Sequence, residues 1–249
     1  MQDRVAIITG GGRGLGRAFA MRLAEEGAIV IIAEIDRQRA DNVANEIIQS
    51  GGRALAVQTD VSDEVSVGAM SKRVMAEFGR IDILINNAAL LATLRRGPFE
   101  EIPPDEFEQV LKVNVTGAYL TARVAAPVMR ERGWGRIINM SSDTALTGHP
   151  GFLHYVTSKA ALVGLTRALA RELGKDGITV NAIQPGLTET EVDRGPERKA
   201  LAAEVIANQC IPRQEVPGDL VGTVLFLASD ASAFITGQTL AVNGGIAFR

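Results

Sequence analysis

Seven short apolar runs recur along the chain: Val5 to Thr9, Ala28 to Ala33, Ala54 to Gln58, Ile81 to Ile85, Ile137 to Met140, Thr179 to Ile183 and Thr239 to Val242. Each reads as a strand, and most are separated by a segment of helical period. Val67, Met70, Val74 and Phe78 form one apolar helix stripe. Further helices are expected from Leu15 to Glu26, from about Asp105 to Arg132, from Tyr155 to Leu173, at Lys199 to Asn208, and from Pro217 to Leu227. This alternation predicts an α/β fold, a doubly wound parallel sheet with helices on both faces.

Composition narrows the picture further. The 249 residues, 46% of them hydrophobic, suffice for one large domain spanning residues 1–249. A net charge of -3 supplies no overall field for nucleic acid or an anionic membrane, so neither is an expected partner. Cys210 is the sole cysteine, and no His/Cys cluster has metal-ligand spacing. The first apolar run is too short for a signal peptide, and no segment reaches the roughly 18 apolar residues of a membrane span. A soluble, cytoplasmic protein is expected.

Candidate chemistry centres on Ser142, Tyr155 and Lys159. Tyr155 and Lys159 are four residues apart, with positions 155, 159, 162, 166, 169 and 173 on one helix face. A cation about 4 to 6 Å away favours the charged form of an acid, so Lys159 is expected to draw the Tyr155 phenol below its reference value near 10, towards proton exchange at neutral pH. Ser142 ends the apolar run Arg136 to Ser142, at the strand end where open α/β sheets bind ligands. A surface tyrosine, a solvated lysine and a turn serine are the bland alternative.

The first turn, Thr9-Gly-Gly-Gly-Arg-Gly-Leu-Gly16, joins a strand to a helix. Its glycines permit tight turning and close approach of backbone N–H groups to a pyrophosphate. Glu34 ends the second strand at the distance where an acid accepts ribose hydroxyls and repels a 2'-phosphate, which favours NAD over NADP. Arg13 and Arg37 argue the other way, since either can pair with such a phosphate. Asp60 and Asn86-Asn-Ala-Ala89 follow the third and fourth strands, where a cofactor meets polar groups, although turn chemistry also favours them. Asn114 interrupts an apolar helix face and serves either a kink or an internal polar network. After Pro185-Gly186, residues 187–213 read as a substrate lid or a plain surface excursion. His149 either faces substrate or is an exposed loop residue, while His154 points away from Tyr155 on the helix.

Taken together, T-G-x-x-x-G-x-G from Thr9 to Gly16, Asp60, N-N-A from Asn86 to Ala88, Asn114, Ser142, Y-x-x-x-K from Tyr155 to Lys159 and P-G-x-x-x-T from Pro185 to Thr190 resemble the short-chain dehydrogenase/reductase family over nearly the whole chain. Ala89 departs from the family's usual glycine, and Glu34 from its usual aspartate. The resemblance implies a Rossmann-like seven-stranded sheet and a catalytic set of Asn114, Ser142, Tyr155 and Lys159. Ser142 would hold the substrate oxygen, Tyr155 would exchange its proton, Lys159 would hold the nicotinamide ribose, and Asn114 would position a water. The implied cofactor set is Gly10, Arg13, Gly14, Leu15, Gly16, Glu34, Asp60, Val61, Asn87, Ala88, Tyr155, Lys159, Pro185, Gly186, Thr188 and Thr190.

Within the family the chain looks like NAD-linked dehydrogenases of secondary alcohols, including aryl alcohols. Its candidate substrate residues are Leu91, Leu94, Thr144, His149, Leu153, Leu187 and Val192, with Leu90, Leu146 and Ile206 beside them; Arg95, Arg96 and Arg194 are possible carboxylate contacts or solvated surface groups. The second reading is an NADPH-dependent 3-oxoacyl carrier-protein reductase, disfavoured by Glu34 and by Gly133 and Asp176 where some such reductases carry docking arginines. A non-catalytic dinucleotide sensor is a third reading, opposed by the presence of Ser142, Tyr155 and Lys159. The family's usual assembly, together with small residues Ala160, Ala161, Gly164 and Ala168, leads to an expected homotetramer or dimer.

Overall fold

The computed structural model describes residues 1–192 and 197–248. Its strands are β1 (Val5–Thr9), β2 (Ile29–Glu34), β3 (Arg53–Gln58), β4 (Ile83–Asn86), β5 (Gly135–Met140), β6 (Ile178–Pro185) and β7 (Thr239–Val242). Its α-helices are α1 (Gly14–Glu25), α2 (Arg37–Gln49), α3 (Glu64–Phe78), α4 (Pro104–Leu111), α5 (Gly117–Glu131), α6 (Thr144–Thr147), α7 (Leu153–Leu173), α8 (Glu197–Asn208) and α9 (Gly218–Ala228). The strands form one parallel sheet in the order β3-β2-β1-β4-β5-β6-β7, the doubly wound arrangement expected from the sequence.

Strand alternation distributes the core to both faces. In β1, Ala6 and Ile8 join one apolar cluster with Phe19 and Leu23 of α1, Val43 and Ile47 of α2, and Leu220 and Val224 of α9. Val5 and Ile7 point to the other cluster, among Val67, Met70 and Val74 of α3, Met129 of α5 and Leu173 of α7. Local chemistry sets the helix ends. Asp36 accepts from Arg39 N (3.1 Å) and Asp63 from Val65 N (3.0 Å), capping α2 and α3. Gly79, at φ 65°, ends α3 in the left-handed conformation that glycine adopts freely.

Most element ends differ from the expectation by one or two residues, α2 and α6 were not among the helices expected, and two differences bear on the site. The fourth strand starts at Ile83 rather than Ile81, because buried Asp82 turns its carboxylate to accept from Val5 N (2.8 Å) and Arg80 Nε (2.6 Å). The helix expected from Asp105 to Arg132 is interrupted by a π turn at Lys112–Thr116 between α4 and α5. The turn contains Asn114, so kink and polar network turn out to be one feature.

A buried chain of hydrogen bonds crosses the sheet. Asn86 Nδ2 donates to Asn139 Oδ1 (2.9 Å), Thr121 Oγ1 donates to Asn86 Oδ1 (2.6 Å), and Asn139 Nδ2 donates to Thr166 Oγ1 (2.9 Å). It joins β4, β5, α5 and α7 behind the site. Asn139→Ala would leave Asn86 and Thr166 each short of a partner inside the core, a loss of about 2 to 4 kcal/mol. Thermal unfolding of this variant is expected roughly 5 to 15 °C below wild type; a shift of about 1 °C or less would show that the chain of bonds contributes little.

Candidate active site

Strand order reverses between β1 and β4, and a crevice opens at their carboxyl ends, where such sheets bind ligands. Thr9 and Asn87 brace it. Thr9 Oγ1 donates to Ile85 O (3.3 Å) and accepts from Asn87 N and Ala88 N (3.0 Å each), while Asn87 Nδ2 donates to Thr9 O (2.9 Å) and Gly10 O (3.1 Å). Gly10 turns at φ 62°, and a Cβ there would lie 2.9 Å from Ala88 Cα. A larger residue cannot pass between the two strand ends.

The crevice holds a cavity of about 420 Å³. It brings together every residue expected to hold the cofactor except Gly16 and Thr190. Gly16 is buried, and a Cβ on it would strike the Gly10 carbonyl oxygen and the Asn87 amide, so its smallness serves packing of α1. Thr190 lies beside Gly14, close to where a Cβ on that glycine would be. Ile35, Arg39, Thr59 and Ser62 also line the cavity and were not anticipated. They sit at or just beyond the carboxyl ends of β2 and β3, which was the available signal.

Glu34 is buried, accepting from Gly12 N (3.1 Å) and Asp36 N (3.3 Å). Arg37 is paired with Asp41 (2.9 Å) and does not line the cavity; Arg39, paired with Asp36 (3.1 Å), does, as does Arg13. Asp60 Oδ1 accepts from Ser62 N (2.9 Å) and Ser62 Oγ (2.8 Å). At the start of α1, Gly14 N donates to Glu191 Oε1 (2.7 Å), a carboxylate on a helix N-terminus. A glycine turn with no Cβ to fill its floor, a buried acid beyond it and a helix N-terminus that already accepts an anion fit a dinucleotide.

A second cavity of about 620 Å³ adjoins the first. Tyr155 lines both, Ser142 only the larger and Lys159 only the smaller. Lys159 is buried, its Nζ donating to Met140 O (2.7 Å) and lying 5.6 Å from the centre of the Tyr155 ring. Burial lowers its pKa to about 8. Ser141 Oγ donates to Lys159 O (2.7 Å), tying β5 to α7. Asn114 sits behind them: its Oδ1 accepts from Leu90 N (2.7 Å) and its Nδ2 donates to Ser158 Oγ (3.0 Å), which in turn donates to Tyr155 O (2.7 Å).

Ser142 Oγ accepts from Thr144 N (3.2 Å) and Thr144 Oγ1 (3.0 Å) and donates to Asp143 Oδ1 (3.3 Å). Burial pushes the Asp143 carboxyl up to about 6, against the Ser142 hydrogen bond that lowers it. Glu215, pushed by burial to about 7, accepts from Thr188 Oγ1 (2.6 Å) and Gly186 N (3.1 Å), and so fixes the loop after β6. Neither acid stood out in the sequence, because nothing local distinguishes a buried loop carboxylate from a solvated one.

Of the candidate substrate residues, Leu91, Leu94, Thr144, His149 and Leu187 line the larger cavity. Leu153 does not line it and is 47% exposed at the start of α7. Val192 and Leu90 line the smaller cavity instead; Leu146 and Ile206 line neither, although Leu201 and Val205 of α8 do line the larger one. Helix α8 therefore brings part of the expected lid to the substrate side, while Arg194 lies outside the described residues. His149 is half-buried with Nδ1 on Pro150 O (2.8 Å), and buried His154 meets Glu106 (2.9 Å) rather than Tyr155. Arg95, Arg96, Phe152 and Ile246 complete much of the wall.

Comparison with known proteins agrees with this geometry. A family model described as enoyl-(acyl carrier protein) reductase matches residues 10–247. The chain is 39% identical over 246 residues to subunit BbsD of (2S)-[(R)-hydroxy(phenyl)methyl]succinyl-CoA dehydrogenase from Thauera aromatica, covering 98% of this chain and 97% of that one. It is 37% identical over 242 residues to the 3-oxoacyl-[acyl-carrier-protein] reductase FabG of Staphylococcus aureus, covering 97% of each. Among solved structures, a Serratia marcescens short-chain dehydrogenase/reductase mutant superposes with a TM-score of 0.90 at 37% identity, covering 98% of both chains. NAD+-bound xylitol dehydrogenase superposes with 0.91 at 32% identity, covering 98% of this chain and 99% of that one. The chain thus belongs to the short-chain dehydrogenase/reductase family and is an oxidoreductase that works with a nicotinamide cofactor.

Proposed function

We propose that this enzyme interconverts a secondary alcohol and its ketone with NAD as the hydride carrier. The observation that carries this reading is the position of Tyr155 in the wall between the glycine-turn cavity and the larger cavity beside it. The bound nicotinamide supplies or accepts the hydride. Everything else falls to side chains. Gly10, Gly14 and Leu15 would cradle the cofactor's phosphates, Glu34 would take its adenosine ribose, and Asp60, Val61, Asn87 and Ala88 would flank its adenine. Lys159 would hold the other ribose, with Pro185, Gly186 and Thr188 lining the same cavity and Thr190 beside Gly14 instead.

Proton movement belongs to Tyr155 and Ser142. Tyr155 gives its proton to the ketone oxygen or takes it from the alcohol. Lys159, cationic below about 8, stabilises negative charge on the phenol oxygen as that proton leaves. Ser142 has its acceptor side filled by Thr144, so its one hydrogen is shared between Asp143 and the substrate oxygen. Asn114 positions Leu90 and Ser158 around this centre, and Leu187, Leu201 and Val205 wall the substrate side.

NAD is favoured over NADP because the Glu34 carboxylate is buried at the end of β2 and anchored by two backbone N–H groups, and Arg39, which lines the cavity beside it, is paired with Asp36. The 3-oxoacyl carrier-protein reductase reading draws on the 37% identity to FabG and on the acyl-CoA substrate in the name of the Thauera relative. Against it, Asp176, where a docking arginine would stand, is itself an acid paired with Arg130 (2.8 Å). A sensor without turnover would have no use for a hydroxyl, a phenol and a buried ammonium converging between two cavities.

Tyr155→Phe is expected to lower kcat by about 100-fold to 10,000-fold while NADH binding, read by fluorescence titration, stays near wild type; near-native turnover would remove the assignment. Steady-state kinetics with NADH and NADPH on simple ketones and on a 3-oxoacyl thioester are expected to favour NADH and the ketones. A strong NADPH preference with thioester activity would transfer the conclusion to the reductase reading. Above about pH 6 the ionised Asp143 holds the Ser142 proton, and below it the neutral acid releases that proton towards the ketone. Ketone reduction should therefore rise as pH falls through about 6, with Glu215 and His149 acting on the same carboxyl. Asp143→Asn, uncharged throughout, is expected to lose that inflection, and an unchanged pH profile in the variant would refute the role.

A further inference from the structure

Most described arginines are ion-paired, among them Arg4, Arg17, Arg80, Arg130, Arg136 and Arg213. Arg95 and Arg96 have no carboxylate within ion-pair distance among the described residues, yet both line the larger cavity. Two adjacent unpaired guanidinium groups at a cavity wall raise the local potential and attract an anion. Exposed arginines are common on protein surfaces, so their setting decides the matter.

Arg96 is held in place by two contacts. Its guanidinium carbon stacks 4.8 Å over the centre of the Phe152 ring, and Gly97 N donates to Gly151 O (3.3 Å), pinning the arginine loop to the segment before α7. A guanidinium held near an aromatic ring by a cation–π contact still has N–H groups to offer an anion. The Phe152 ring meets the Tyr155 ring edge-on with centres 6.0 Å apart. The arginine is therefore two short steps from the group that handles the substrate proton, and one molecule of moderate length can touch both.

The acids of this cavity do not neutralise the pair. Asp143 is turned to the Ser142 hydroxyl, and Glu204 stands on α8 at an exposed position; among the described residues neither forms an ion pair with Arg95 or Arg96. The exposed Glu204 carboxylate is screened by water.

We infer that Arg95 and Arg96 form an anion subsite, so the ketone or alcohol carries a carboxylate or phosphate a short distance from its reacting carbon. Arg96 supplies the bidentate contact and Arg95 the supporting charge. This inference rests on the alcohol/ketone reading of the same site.

The test compares matched pairs. Levulinate and its longer straight-chain homologues are measured against their methyl esters, and acetoacetyl-CoA against the uncharged acetoacetyl-N-acetylcysteamine, each as a kcat/KM ratio with NADH. A preference for the acids, greatest at intermediate length, identifies a carboxylate; a preference for the CoA thioester alone identifies a phosphate. Arg96→Gln and the double variant with Arg95→Gln are expected to reduce the preferred ratio roughly tenfold to hundredfold, mainly through KM, whereas Arg167→Gln on the exposed side of α7 leaves the ratio unchanged. No anionic preference in wild type, or a ratio unaltered in the double variant, overturns the subsite.

Calorimetry of hexanoate and of inorganic phosphate with the NADH-loaded enzyme separates the two conclusions. Anion binding that the double variant loses, without turnover of any ketone, retains the subsite and removes the alcohol/ketone reading. Turnover of neutral ketones with no anion preference and no anion binding does the reverse.

Discussion

The hydrogen bonds that Thr9 and Asn87 share at the ends of β1 and β4 are the interaction on which the site depends. A parallel sheet with both faces covered leaves only its strand ends open to ligands, and two neighbouring strands whose connections leave in opposite directions part there. The brace fixes how far they part. It also explains why the glycines of the first turn do different work: Gly10 lets the turn pass Ala88, whereas Gly16 lets α1 approach the turn.

Behind that opening the fold buries polar groups that a core ordinarily excludes, and each is anchored to the backbone of a different element. Lys159 of α7 reaches the carbonyl of Met140 on β5, Asn114 of the π turn holds Leu90 after β4, and Glu215 holds Gly186 after β6. Burial without a partner would cost several kcal/mol per charge. Spread over the sheet's carboxyl edge, these links turn separate loops into one wall, while burial shifts Lys159, Asp143 and Glu215 towards neutrality.

The two cavities divide labour along this wall. The smaller is built from strand ends and turns, positions set by the sheet itself, so its chemistry is shared by proteins of this architecture. The larger is built from the loop after β4, the segment between β5 and α7, and α8. Those pieces are attached to the sheet only at their ends, which leaves their side chains free to vary with substrate.

By itself the sequence determined the strands, most of the helices, the parallel sheet and the placing of Tyr155 and Lys159 on one face of α7, because period-2 and period-3.6 patterns and a Tyr/Lys pair four apart are local signals. The glycine turn, Glu34 and most of the cofactor wall were legible for the same reason. Only the tertiary structure decided that Gly16 packs rather than lines, that Leu153 faces outward and Val192 the cofactor side, and that Arg39 replaces Arg37 at the cavity. The acids Asp143 and Glu215 and the Asn86–Asn139–Thr166 chain were equally hidden, and Arg95 and Arg96 were visible as candidates but not their place at the wall of the larger cavity. Their character comes from burial and from neighbours distant in the chain, and neither is written in local spacing.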